Sequence, residues 1–80
     1  MLDENVASLY VYPNPASEII YVEAPSLKDK TLQMVNLNGE VVKVVKANSN
    51  KLQIAVGDLS AGAYLLFSQD GSVSETVIIK

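Results

Sequence analysis

The side chains able to do chemistry in this chain are nine carboxylates, six basic groups (all lysine) and four tyrosines, with no cysteine and no histidine. Without Cys or His there is no thiol nucleophile, no Ser-His-Asp relay, no disulfide and almost no zinc geometry. A glycosidase would need two carboxyl groups held at a set separation across a cleft. Asp3, Glu4, Glu18, Glu23, Asp29, Glu40, Asp58, Asp70 and Glu75 instead stand singly, in turns and at outward positions. A calcium loop needs clustered oxygen ligands, and Asp58 with Ser60 is too sparse for one. Neither Lys43 nor Lys51 has a neighbour that would make it a catalytic amine. The expectation is solvated surface charge, with no catalytic residue, no metal and no cofactor.

The same inventory bounds the partners. A net charge of −3 argues against nucleic acid, which is bound by a basic face, and gives no sign of attraction to an anionic membrane. The longest clear apolar run, Ala63 to Phe67, falls far short of the roughly 20 residues of a membrane span. Met1 to Asn5 lacks the basic and apolar regions of a signal peptide. Eighty residues make one small domain with a thin core.

The elements that position these residues read as strands. No stretch keeps the i, i+3, i+4, i+7 apolar spacing of a helix, whereas short Val/Ile/Leu/Tyr-rich runs recur between turn signals. About seven strands are expected: Ser8–Tyr12, Ile19–Glu23, Thr31–Leu37, Glu40–Lys46, Leu52–Val56, Ala63–Ser68 and Val73–Ile79. Asn38-Gly39 and Asp70-Gly71 are hairpin signals, because these residues tolerate positive φ. Alternation puts Ile20, Val22, Leu32, Met34, Val42, Val44, Leu52, Ile54, Val56, Tyr64, Leu66, Val77 and Ile79 inward. Tyr21, Val35, Val45, Leu65, Phe67 and Ile78 face outward, either as scattered surface hydrophobes or as a docking patch. One inward set across so many strands is what two face-to-face sheets require, so an all-β, immunoglobulin-like antiparallel sandwich is expected.

Two segments stand out from this pattern. In Val11-Tyr12-Pro13-Asn14-Pro15-Ala16-Ser17 each proline fixes its own φ, lacks an N–H and pushes the preceding residue toward extended backbone. A stiff, extended lead into the first strong strand is expected. In Gly57-Asp58-Leu59-Ser60-Ala61-Gly62-Ala63-Tyr64 the order resembles the corner ahead of a sandwich's sixth strand, where a tyrosine hydroxyl bonds back to the loop backbone. Leu59 would plug the base of the core, and Gly62 would allow an unusual φ or a close approach.

These segments occur in a fixed order. Tyr12-Pro13-Asn14-Pro15-Ala16-Ser17 leads to Ile20-Tyr21-Val22, Val35-Asn36-Leu37-Asn38-Gly39-Glu40-Val41-Val42 follows, and then Asp58 to Tyr64. A last apolar strand ends at Lys80. Over about residues 10 to 80 the chain resembles the type A C-terminal sorting domain of the type IX (Por) secretion system of Bacteroidetes. The resemblance implies an address rather than a catalyst, with residues 1–8 a linker or cloning remnant and residues 9–80 the sorting domain. The cargo protein would pass the periplasm, engage shuttle proteins and the outer-membrane translocon, and reach the outer-membrane surface or be secreted. A sortase-like cysteine peptidase would remove the domain by cutting upstream of Tyr12. By resemblance the sorting residues are Tyr12, Pro13, Asn14 and Pro15, then Gly39, then Leu59, Gly62 and Tyr64, and finally Val77, Ile78, Ile79 and Lys80. One feature departs from the family's pattern. Glu75-Thr76, not a basic residue, precede the last apolar residues, which weakens any charge-based recognition of the tail.

Two other readings stay open at this level. An accessory carbohydrate-binding or spacer module of a secreted enzyme would expose aromatic platforms, yet the chain has no Trp. An adhesion module with a Lys–Asn isopeptide bond would weigh one ammonia less than its sequence. An open edge at the last strand would permit weak homodimers.

Overall fold

The computed structural model describes residues 7–80. Met1 to Val6, most of the stretch expected to be a linker, lie outside the described residues. The strands are β1 (Ala7–Ser8), β2 (Tyr10–Tyr12), β3 (Ile19–Glu23), β4 (Thr31–Val35), β5 (Val41–Lys46), β6 (Lys51–Ala55), β7 (Gly62–Ser68) and β8 (Val73–Ile79). One sheet has the order β1-β8-β7-β4-β5 and the other β2-β3-β6. All pairs are antiparallel except the short β1–β8 pair. The expected sandwich is present, without helices among the described residues.

Alternation drives the two sheets together. Ile20, Val22 and Ile54 from the smaller sheet join Leu32, Met34, Leu66, Val77 and Ile79 from the larger in one buried cluster. Segments between strands add to it. Leu27 and Ala47 are fully buried, and Leu9 and Ala16 nearly so. These are loop residues, which alternation along strands does not reach.

Four expectations need correction. The first strand is not continuous. Leu9 turns into the core, so Ala7–Ser8 pairs with β8 in one sheet and Tyr10–Tyr12 with β3 in the other. The third strand stops at Val35, because Asn36 folds into a turn and leaves Leu37 at 83% exposure. In β5, Val44 is 55% exposed, whereas Val45 packs on the core. A bulge is the cause: Met34 pairs with Lys43 and Val35 with Val41, so Val42 is the extra residue and the strand changes phase. A one-residue shift exchanges faces, which reverses the inside and outside assigned to Val44 and Val45. Finally, Pro13 to Pro15 is a bend with both X-Pro bonds cis, not a straight extended lead.

The β7–β8 hairpin forms where Asp70-Gly71 predicts it. Gly71 sits at φ +77, and its N–H bonds the Ser68 carbonyl at 2.9 Å. Ser68 is buried and fully used: its hydroxyl donates to Asp70 Oδ1 at 2.6 Å and accepts from the Val73 N–H at 3.2 Å. Asp70 also accepts from the Ser72 N–H at 2.9 Å and from Lys30 Nζ at 2.8 Å. The Lys30 ammonium first, then Ser68 and Ser72, hold the Asp70 carboxyl well below the ordinary carboxylate range. The folded chain therefore binds this proton less readily than the unfolded chain. The resulting stability is present above the unfolded value near 4 and is lost as pH falls below it. Urea unfolding should show a declining midpoint below about pH 4. Asp70→Asn should lower the midpoint at neutral pH and make that acid decline shallower.

Candidate functional site

The structure gathers sequence-distant motifs at one end of the sandwich. β8 supplies the axis. On one side it pairs with β7, with Gly62 opposite Ile79 and Tyr64 opposite Val77. On its outer side it meets the first motif. Asn14 Nδ2 donates to the Thr76 carbonyl at 3.0 Å, and the Ile78 N–H donates to Asn14 Oδ1 at 2.9 Å. Two bonds beyond these, Ala16 N–H to Ile78 O and Lys80 N–H to Ala16 O, are both 2.8 Å. One side-chain amide thus presents a donor and an acceptor to β8 as a neighbouring strand would. Asparagine suits this task because its amide carries both functions at the end of a short side chain.

The third motif buttresses the same end. Tyr64 is buried, and its hydroxyl donates to the Ser60 carbonyl at 2.6 Å, as the corner predicts. Leu59 is half-buried against the core, and its N–H bonds the Val56 carbonyl at 3.0 Å. Gly62 has φ +153 and opens β7. Tyr64→Phe should lower stability by about 0.5–1.5 kcal/mol in urea unfolding, the range for one hydrogen bond lost.

The second motif forms the adjoining turn. Gly39 takes φ +83, where a side chain would be strained. Asn36 Oδ1 accepts from the N–H groups of Asn38 at 2.9 Å and Glu40 at 3.0 Å, and its amide donates to Glu40 Oε1 at 2.8 Å. This Asx-type turn was legible in principle from an asparagine two residues before Asn-Gly. Asn36 to Asn38 and Ala61 to Tyr64 line a shallow depression of about 310 Å³. Of the tail residues, Val77 and Ile79 are buried, whereas Ile78 is 39% exposed and Lys80 is exposed.

Tyr12 lies apart from this constellation. It stacks on Tyr21 of the smaller sheet with centroids 5.5 Å apart, and its hydroxyl donates to Glu23. That hydrogen bond, with burial, raises the Tyr12 phenol above its ordinary value. Lys51 lies 5.9 Å from the Tyr21 ring centroid. Lys43 and Asp58 pair at 2.9 Å. Among the described residues, no group of three or more acidic side chains is gathered as a metal site would require.

The sandwich with its motifs gathered beside the last strand defines a β-domain organised around one strand edge rather than around a cleft. The description of the secretion system C-terminal sorting domain matches residues 10–80, and the chain belongs to that family. It is a sorting signal for type IX secretion, and it implies export across the outer membrane, to the surface or the medium, through interaction with the type IX machinery. No curated protein and no solved structure matches the chain.

Proposed function

We propose that the end of the sandwich built by Asn14, Gly39, Leu59, Gly62, Tyr64 and the strand Val77–Lys80 is the surface the machinery reads. The observation that supports this most is the pairing of the first motif with the last strand. Motifs more than sixty positions apart serve one local structure. Within it Pro13, Pro15, Gly39, Leu59, Gly62 and Tyr64 shape the backbone, and Ile78 and Lys80 present accessible side chains. Residues 9–80 act as the address, and Ala7–Ser8, expected in the linker, extend the folded domain as β1 of the larger sheet. The domain binds, and is cut away, but does not catalyse. Its partners are the outer-membrane translocon and shuttle proteins, met after periplasmic transit, and then a sortase-like cysteine peptidase cutting upstream of Tyr12. The last strand is not the edge expected for weak homodimers, since β1 lies outside it; at the opposite edge of that sheet, β5 carries a bulge, Lys43 and Lys46, which discourage edge pairing and keep self-association weak.

The test appends residues 1–80 to a periplasmic reporter in a host with the type IX system. Surface display or release is expected, and deleting Thr76 to Lys80 should abolish it. Retention of the intact fusion in the periplasm would overturn the reading.

A further inference from the structure

We propose that Asn38, in the turn between β4 and β5, is a self-modification site. Its side-chain amide is lost as ammonia to attack by the Gly39 nitrogen, leaving aspartate or isoaspartate, at a rate set by the opening of that turn. The proposal stands apart from the export reading, because it concerns bonds made within one turn and not what the turn contacts.

The reaction needs only the chain and water. The Gly39 nitrogen attacks Cγ of Asn38, an N–Cγ bond forms, and the side-chain nitrogen leaves as ammonia with the proton that Gly39 gives up. The product is a cyclic imide. Water then adds to one of the imide carbonyls. Breaking the new N–Cγ bond gives aspartate. Breaking the original peptide bond instead gives isoaspartate, with the main chain routed through Cγ. No atom is oxidised or reduced, and either route replaces a neutral amide with a carboxylate.

The structure separates Asn38 from the other described asparagines. Asn14 precedes Pro15, whose nitrogen has no hydrogen to give up, and its amide is held by Thr76 and Ile78. Asn36 is half-buried, precedes the branched Leu37, and uses both ends of its amide in the turn. Asn50 accepts from the Lys28 N–H at 3.0 Å and precedes the long side chain of Lys51. Asn48 is exposed, but the attacking nitrogen would be that of Ser49, crowded by its own Cβ. Only Asn38 is followed by glycine. Asn38 and Gly39 are both exposed, and apart from chain neighbours no heavy atom lies within 4 Å of where a side chain on Gly39 would begin. The attacking nitrogen therefore stands in open space with no side chain beside it.

The same turn holds the reaction back. The Gly39 N–H donates to the Asn36 carbonyl at 3.0 Å, so this nitrogen must leave that bond before it gives up its proton. On either side, Asn36 Oδ1 holds the N–H groups of Asn38 at 2.9 Å and Glu40 at 3.0 Å. While these bonds last, the main chain cannot swing the Gly39 nitrogen onto the Asn38 side chain. An exposed turn opens locally far more often than the whole fold unfolds, and the reaction runs through that opening. The products change the turn. Isoaspartate lengthens a main chain whose bonds are set for ordinary spacing. Both products make the net charge of −3 one unit more negative, two residues from Glu40 and on the rim of the depression lined by Asn36 to Asn38 and Ala61 to Tyr64. An old chain thus differs from a new one at this end of the sandwich.

The test incubates the folded chain of residues 1–80 at neutral and at mildly alkaline pH and follows it by peptide mass mapping, with enzymatic methylation of isoaspartate as a second readout. Conversion is expected at Asn38 before any other described asparagine, and faster at the higher pH, because the attacking nitrogen reacts without its proton. Asn36→Ala should speed conversion about tenfold, the factor that one ordinary hydrogen bond is worth, and speed hydrogen exchange at the Gly39 amide by the same factor. Exchange at the Leu66 amide, in the core, reports whether the variant still folds. Asn36→Asp, which keeps the acceptor and loses the donation to Glu40, provides a milder variant should the alanine form unfold. Asn38→Gln, whose amide lies one carbon further out, should stay unconverted over the same period. Three results would overturn the proposal: earlier conversion at another described asparagine, no conversion of the folded chain while the urea-unfolded chain converts, or faster exchange at Gly39 in the Asn36 variants without faster conversion.

Discussion

Replacing Leu32 with alanine should cost about 2–5 kcal/mol, the range for a buried leucine whose cavity cannot fully collapse. Leu32 is completely buried in β4, the strand held between β5 and β7. A chain of this length has about 4–12 kcal/mol in total, so one cavity could take most of the fold's stability. Val44→Ala supplies the contrast. Val44 sits on the exposed face of edge strand β5, and its truncation should move stability by about 0.5 kcal/mol or less. Urea unfolding followed by circular dichroism measures both, with an unchanged slope marking a change in stability rather than in unfolded-state compactness. A Val44→Ala cost as large as that of Leu32→Ala would mean that β5 runs in the phase its alternation predicts and that the bulge at Val42 is absent.

That contrast marks where the sequence is readable. Where strands keep strict alternation, as in Ile20-Tyr21-Val22 and Leu32-Gln33-Met34, inward positions follow from side-chain geometry alone. In Val41-Val42-Lys43-Val44-Val45 the residues are nearly all apolar, so alternation has no polar phase to fix it. The bulge that sets the face depends on pairing with β4, a tertiary fact. Leu9 and Leu27 were missed for a related reason. They lie between strands, and only the closed sandwich shows which loops fold back over its ends. Tyr64 was legible because a hydroxyl returning to its own corner is a local event, four residues long.

The candidate site shows the same division. Its members could be picked out by type and order, but not their assembly. Nothing in Tyr12-Pro13-Asn14-Pro15 indicates that the asparagine amide bonds a strand more than sixty residues away. The prolines announce a backbone that cannot pair, and that much is local physics. Which strand is left needing a partner is set by sheet order. β8 lies second from the edge, with β1 covering only its first residues, so a side chain completes what the short strand leaves open.

Ile78→Thr should leave the unfolding midpoint close to that of the parent chain and reduce surface display of a fused reporter. Threonine keeps the branched β-carbon that suits a strand, and the site is already partly in water. The apolar surface it removes is worth about 1.4 kcal/mol to a partner that covers it, or roughly a tenfold loss of affinity. Val77→Asp provides the opposite case. Val77 is fully buried beside Tyr64, and an unpaired charge there costs several kcal/mol, on the order of the whole fold. Loss of export in the aspartate variant alone would mean that the last strand matters only because the sandwich must fold. Loss in the threonine variant, with the midpoint unchanged, separates reading from folding, since the two substitutions are adjacent and differ chiefly in the face they occupy. Alternation along β8 makes this separation possible: its odd positions Val77 and Ile79 are buried in the core, and its even positions Ile78 and Lys80 face solvent.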